Sequence, residues 1–340
     1  MNEEKKFVGN LFLCRFAIFI CMTSVAIWFV FIPWKVNLLS MSESQLGFVF
    51  MIFGLGSLFS IQITNRILLR RYSAESLIRF TLPLFPITFF FWTSSSSYGY
   101  LLFYALPLSL CFGIINSSVL SATLNYEKLT GRRFMPMHQA SFSIGGLSGS
   151  VLGGILMNFI ENPEISILFV SVSSFISIIL LVVKRVVCLE PINEAIEASM
   201  PSRLSLILGT MAAINLGTVG IILDWSALWL TREFSVAAAL GGSIIFAFNS
   251  GEIISRVSGE KLINRFGEKV VGTYFMLIGC AVLFCTLLLA KVELVVFGFF
   301  IFGLLTANYF PILLSLGTKL DPKNSQKVLG DINLIAFCGL

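Results

Sequence analysis

Four ionisable side chains, Arg15, Asp224, Glu252 and Arg256, fall inside long apolar runs. At membrane depth each charge costs about 2.5–3.5 kcal/mol even on the lenient insertion scale, so each needs a reason to be there. Glu252 and Arg256 stand four apart, acid first, the spacing and order at which side chains pair on one helix face. As a pair they would form a latch near an inner gate, because separating them strands a charge in low dielectric. The alternative for Glu252 is to titrate, taking up and releasing a proton. Asp224 precedes Trp225. Two readings are open for it: an interfacial, hydrated acid beside an anchoring indole, or a site where the carboxylate accepts hydroxyl protons and the ring covers a sugar's apolar face. Arg15 either snorkels to headgroups or faces a substrate. Asn116, Asn249 and Asn308 are amides that can bond a neutral solute or another helix. Asn215 belongs with them.

Other residues address packing rather than chemistry. Gly145, Gly149 and Gly153 recur every four positions, the small-residue period that lets two helix backbones approach closely. Pro83, Pro86, Pro107 and Pro311 interrupt helical hydrogen bonding and supply bending points. A single histidine, His138, leaves no His-rich metal site and no clustered residues for a membrane-embedded enzyme. The seven cysteines form no C-x-x-C pair, and no G-x-x-x-x-G-K-[ST] loop occurs, which speaks against disulfides, zinc and ATP-driven transport alike. No cofactor and no metal are expected.

The elements that position these residues follow from composition. The 340 residues are 56% hydrophobic and only 12% charged, with a mean hydropathy of +0.91. A soluble domain carries about 25% charged residues. So large an apolar surplus has to face lipid, and the chain reads as an all-α polytopic membrane protein. About ten runs of roughly 20 apolar residues match the thickness of a bilayer core. They are Gly9–Pro33, Gln45–Leu69, Leu77–Thr93, Gly99–Leu120, Ala140–Ile160, Ser166–Val183, Leu204–Leu230, Ala237–Leu262, Val270–Ala290 and Leu294–Leu316. The piece Ile332–Leu340 is too short to span, and reads as part of an eleventh helix.

Charge orients the spans. With a cytoplasmic N-terminus, the inner side receives Lys5, Lys6, Arg66, Arg70, Arg71, Arg79, Lys128, Arg132, Arg133, Lys184, Arg185, Arg203, Lys261, Arg265, Lys269, Lys319, Lys323 and Lys327, and the outer side only Lys35, Arg232 and Lys291. Positive residues resist translocation, so this asymmetry places the N-terminus inside. It also explains the net charge of +5 without nucleic acid. Sliding the chain by 195 positions pairs Trp34 with Trp229, Gly56 with Gly251, Ser60 with Ser255, Arg66 with Lys261 and Arg70 with Arg265. The expected organisation is a six-helix half at 1–186, a cytoplasmic linker at 187–203 and a second, truncated half at 204–340. By the same shift a complete second half would need roughly another 50 residues.

The loop after the second span of each half carries the resemblance to a family. In the second half it reads Ser255-Arg256, then Gly259-Glu260-Lys261, then Arg265-Phe266-Gly267-Glu268-Lys269. This resembles the G-x-x-x-D-R-x-G-R-R loop of the major facilitator superfamily. The first-half copy keeps Arg66 and Arg70-Arg71 without the acid or the glycine. Ser44-Gln45-Leu46-Gly47, Asp224-Trp225-Ser226-Ala227, His138 with the fifth-span glycines, and Phe310-Pro311 look like the fucose-permease-like branch of bacterial inner-membrane carriers.

The resemblance implies two six-helix bundles in pseudo-twofold repeat and a secondary carrier of the inner (plasma) membrane, not an enzyme. The resemblance names no cargo; Asp224 beside Trp225, the amides Asn116, Asn249 and Asn308 and the lack of a nucleotide site point to a small polar solute, sugar-like and coupled to protons, moved by a monomer working by alternating access. Glu252, Arg256, Gly259, Glu260, Lys261, Arg265, Gly267, Arg66 and Arg70 would then form its inner gate loops. Asp224, Trp225, Asn116, Asn249, Asn308 and Arg15 remain the candidates for solute or proton. The competing reading is a truncated or decayed carrier without activity.

Overall fold

A computed structural model describes residues 3–131, 134–160, 162–182, 200–321 and 325–339. Positions 187–199 of the expected linker lie outside these, as do Arg132, Arg133, Lys184, Arg185, Cys188 and Lys323. So do the side chains of Lys5, Lys6, Lys128 and Glu260.

Among the described residues the regular elements are all helices. They run α1 (Glu3–Leu38), α2 (Glu43–Ile63), a π turn (Thr64–Leu68), α3 (Leu69–Arg71), α4 (Ala74–Thr81), α5 (Leu84–Thr93), α6 (Tyr98–Thr130), α7 (Met135–Phe159) and α8 (Pro163–Val182). Beyond position 200 come α9 (Arg203–Glu233), a 3₁₀ turn (Ala238–Leu240), α10 (Ser243–Phe266), a π turn (Val270–Tyr274), α11 (Phe275–Leu289), α12 (Val292–Thr306), α13 (Tyr309–Leu320) and α14 (Ser325–Phe337). Nine described helical stretches are long and apolar enough to cross a membrane, and the pair α4 and α5 makes a tenth if taken as one span. This is an all-α, multi-pass membrane protein.

Local chemistry starts these helices. Ser42, Ser73, Ser97 and Ser202 each accept a hydrogen bond at a helix N-terminus. Ser42 does so in a reciprocal box with Gln45, at 3.2 and 2.9 Å. Each cap supplies a partner to an otherwise orphaned N–H, worth about 1 kcal/mol.

Three spans differ from the expectation. The third is bent by 41° between α4 and α5, because Pro83 has no N–H to carry the helix through. The tenth breaks after Thr306 and restarts at Tyr309, with Pro311 in its new first turn. The last helix opens at Ser325, ahead of the expected Ile332, since its first two turns carry Lys327 and Asp331 and escape a reading based on hydropathy alone.

The chain divides into two compact units, Met1–Glu194 with Ala237–Ala239, and Ala195–Val236 with Leu240–Leu340. In the first, α1 is the interior helix: Leu13, Ala17, Ile18, Cys21, Trp28, Phe31 and Ile32 are all buried. It packs along α7 and against α6 and α8. The glycine stripe makes that contact. A Cβ on Gly145 would sit 2.7 Å from the Phe19 carbonyl oxygen, one on Gly149 2.7 Å from Ala26 Cβ, and one on Gly153 3.0 Å from Val30 Cβ. In the second unit α9 packs along α14 in the same way, with Gly209 against Ile335 at 2.8 Å and Gly217 against the Gly339 oxygen at 2.7 Å.

Candidate functional site

Asp224 lies in α9, partly exposed, and makes no side-chain hydrogen bond or ion pair with any described residue. An acid left open on a membrane-depth helix is costly, and a proton or an entering ligand can neutralise its charge. Trp225 follows it, also partly exposed, and Trp229 packs edge-on against Phe234 at 5.2 Å. Asn215, on the same helix, is buried.

The amides separate by environment. Asn249 is buried in α10 and donates to the Ile245 carbonyl at 2.8 Å. Asn308, between α12 and α13, donates to Ser255 Oγ at 2.9 Å and to the Ser255 carbonyl at 3.2 Å. Gly259 allows that docking, because a Cβ there would meet Asn308 Oδ1 at 2.5 Å. Asn116, in α6 of the first unit, is partly exposed and makes no side-chain hydrogen bond with a described residue. Arg15, in α1, is likewise partly exposed, and its buried Nε has no acceptor there. Thus each unit carries an open charge at membrane depth, Arg15 in the first and Asp224 in the second.

Glu252 and Arg256 are paired on α10, Nη2 to Oε1 at 2.8 Å, with Glu252 buried. The helix ends at Gly267, whose φ of +83° is a conformation that L side chains rarely adopt. Lys261 and Arg265 are exposed, Arg265 resting 5.4 Å from the Phe266 ring. Just past the turn, Glu268 takes Lys319 at 2.6 Å and Ser315 at 3.4 Å, tying the loop to α13. In the first unit Arg66 and Arg70 are exposed, with no hydrogen bond or ion pair to a described residue. Ser117 bonds Asn65 beside them.

Two features escaped the sequence. Glu75, near the start of α4, is buried and accepts a hydrogen bond from the Tyr126 hydroxyl, which in turn accepts from Asn10 Nδ2 at 2.9 Å. Its only sequence signal was an acid two residues past a helix-capping serine. Lys35, expected in an outer loop, sits in the last turn of α1, 1% exposed, with Nζ 5.1 Å from the Trp34 ring centroid. A helix that continues past Pro33 carries it inward, which the apolar run did not reveal.

A profile of the major facilitator superfamily matches residues 12–339. The chain belongs to the major facilitator superfamily. Relatives within it include an uncharacterised MFS-type transporter of Yersinia pestis, 21% identical, aligned over 96% of this chain and 85% of that protein. Another is an uncharacterised transporter of Sinorhizobium fredii, 25% identical over 91% of this chain and 82% of the other. Among solved structures, a mutant of the nucleoside transporter NupG superposes with a TM-score of 0.76 at 12% identity, covering 97% of this chain and 89% of that one. A bacterial homologue of the human lysosomal transporter Spinster, inward-facing and occupied, gives 0.70 at 14%, with coverages of 96% and 78%. This member of the major facilitator superfamily is therefore a membrane-embedded secondary transporter of small molecules rather than an enzyme.

Proposed function

We propose that this transporter moves a small polar solute, a sugar or related polyol, in symport with a proton across the bacterial inner membrane. The halves 1–186 and 204–340 act as the bodies that alternate access, joined by the linker 187–203, with the N-terminus in the cytoplasm and the chain working as a monomer. Lys and Arg gathering on one side of the spans support that orientation. One observation carries the transport chemistry: Asp224 is partly open at membrane depth, has no hydrogen-bond or ion partner among the described residues, and stands next to an indole. A carboxylate so placed can exchange a proton with whichever side of the membrane the carrier opens to. Glu252 is the weaker candidate for this role because Arg256 already holds it, which favours the latch reading.

In proteoliposomes under a pH gradient, Asp224→Asn retains solute exchange and loses gradient-driven accumulation, since the amide mimics the protonated acid without titrating. Equal accumulation by the variant and the parent rejects proton coupling through Asp224. The first-half loop, which lacks the acid and the glycine of the second-half copy and whose Arg66 and Arg70 make no ion pair with a described residue, supports a second reading, a carrier without activity. A parent chain that exchanges none of a panel of monosaccharides and polyols would support that reading.

A further inference from the structure

The second membrane span, Glu43–Arg71, is 29 residues long, about 43 Å as a helix. That exceeds a hydrocarbon core of about 30 Å and matches a bilayer with its headgroups, so the last two turns lie at headgroup depth. Those turns hold Arg66, Arg70 and Arg71. The backbone there is a π turn, closed by the Leu69 N–H on the Thr64 carbonyl. It sets the buried positions five apart, Thr64 and Leu69, leaving Asn65, Arg66 and Ile67 exposed in one run and Arg70, Arg71 and Tyr72 in the next. Apolar groups flank the guanidiniums at this elbow: Ile67, Tyr72 and, on α4, Phe80, which is 75% exposed.

None of the three guanidiniums has a hydrogen bond or ion pair with a described residue. The surrounding sequence does not balance them either. Stretches 64–81 and 127–134 together hold seven basic residues, Lys128, Arg132 and Arg133 among them, against two acids. Both acids are already engaged: Glu75 is buried and accepts from the Tyr126 hydroxyl, and Glu127 accepts from the Phe134 and Met135 N–H groups at the start of α7. Bases and acids are equal in number in the N-terminal segment 3–6 and in the stretch 184–203 that contains the linker, so neither brings net charge. What fits is an anion that stays at headgroup depth and carries its own apolar part. All four bases of 64–81 are arginine, whose planar fork takes two phosphate oxygens at once. A soluble phosphate would use the forks and leave Ile67, Tyr72 and Phe80 unused. A phospholipid uses both, since aromatic and apolar side chains anchor at that level.

We propose that the elbow from Thr64 to Phe80 is a docking site for an anionic phospholipid of the phosphatidylglycerol or cardiolipin class. Arg66, Arg70 and Arg71 hold its phosphate, and Ile67, Tyr72 and Phe80 meet its acyl chains. The site lies wholly within the first unit and asks nothing of the transported solute. Lipid charge there stands in for the acid that the second-half loop, with Glu260 and Glu268, supplies from the chain itself.

The test is native mass spectrometry of the full chain, delipidated in detergent and titrated with dioleoyl phosphatidylglycerol, tetraoleoyl cardiolipin or dioleoyl phosphatidylcholine. The parent should bind the two anionic lipids at least ten-fold more tightly than phosphatidylcholine. Arg66→Gln, Arg70→Gln and Arg71→Gln together should erase that preference. Lys261→Gln, Arg265→Gln and Lys269→Gln together remove the same charge from the second-half loop and should alter it less than two-fold. Ile67→Ser with Tyr72→Ser should weaken lipid binding at least three-fold and leave the thermal shift given by inorganic phosphate unchanged. All these positions are exposed, and helix content by circular dichroism verifies folding. A parent without the preference overturns the site, as does an Arg-to-Gln variant that keeps it or a second-half loop that matters equally. Lipid binding indifferent to Ile67 and Tyr72, or arginines that take inorganic phosphate while no lipid is preferred, overturns the phospholipid as occupant.

Discussion

Each unit ties together two segments at the same sequence distance, and by opposite means. In the first, Glu75 and Tyr126 stand 51 positions apart, buried, and Asn10 of α1 joins them. In the second, Glu268 and Lys319 also stand 51 apart, but the lysine side chain is 59% and the glutamate 32% exposed. The two contacts do not fall at matching positions, since a shift of 195 carries Glu75 to Val270 and Tyr126 to Asp321, and their physics differs as well. The first link is a desolvated hydrogen-bond network that pins three helices. The second is a solvated ion pair at a loop edge, and its neighbour Glu252–Arg256 carries the desolvated charge instead. The first contact is therefore shielded from solvent and salt, and the second is open to both.

Substitutions can break that contrast, and the largest effect belongs to the latch. Arg256→Ala leaves Glu252 buried without its cation, a loss of about 3 kcal/mol. The melting temperature in detergent should fall, and Arg256→Lys should recover part of it. An unchanged melt would mean that Glu252 is hydrated and the pair is not a latch. Next comes Tyr126→Phe, which removes the donor to Glu75 and the acceptor for Asn10 at once. About 2 kcal/mol should go, with thiol-dye unfolding assays reporting earlier exposure of the buried Cys14. The smallest effect is Lys319→Ala. An exposed pair contributes under about 1 kcal/mol and is screened by salt. If Lys319→Ala destabilises as much as Tyr126→Phe does, the contrast between the two ends is wrong.

Much of the fold was legible in the residues because membrane spans announce themselves by length and apolarity, and helix packing by the period of small residues. The Gly145, Gly149 and Gly153 stripe reads as a close helix contact, to which the structure adds α1 as the partner, and the Glu252–Arg256 spacing reads directly as a pair. What the spans concealed were breaks. The 41° bend at Pro83, the interruption before Tyr309 and the early start of α14 depend on how neighbouring helices receive a freed backbone or a polar first turn. Glu75 was legible as a helix-start acid and illegible as a buried one, since its burial depends on Tyr126 arriving from another helix.

By itself, then, the sequence determined the solvent. Its 56% hydrophobic content and alternating basic loops leave a lipid-embedded helical protein as the consistent outcome, because both signals are one-dimensional and need no partner to be read. Which polar side chains are spent and which stay open was decided only by the tertiary structure. Asn308 and Asn116 are the same residue type in comparable helices, yet one is docked on Ser255 and the other has no such bond among the described residues. Lys35 and Asp224 tell the same story for charge. A hydrogen bond requires two groups within about 3 Å, and that distance between residues far apart in the chain exists only once the helices have packed.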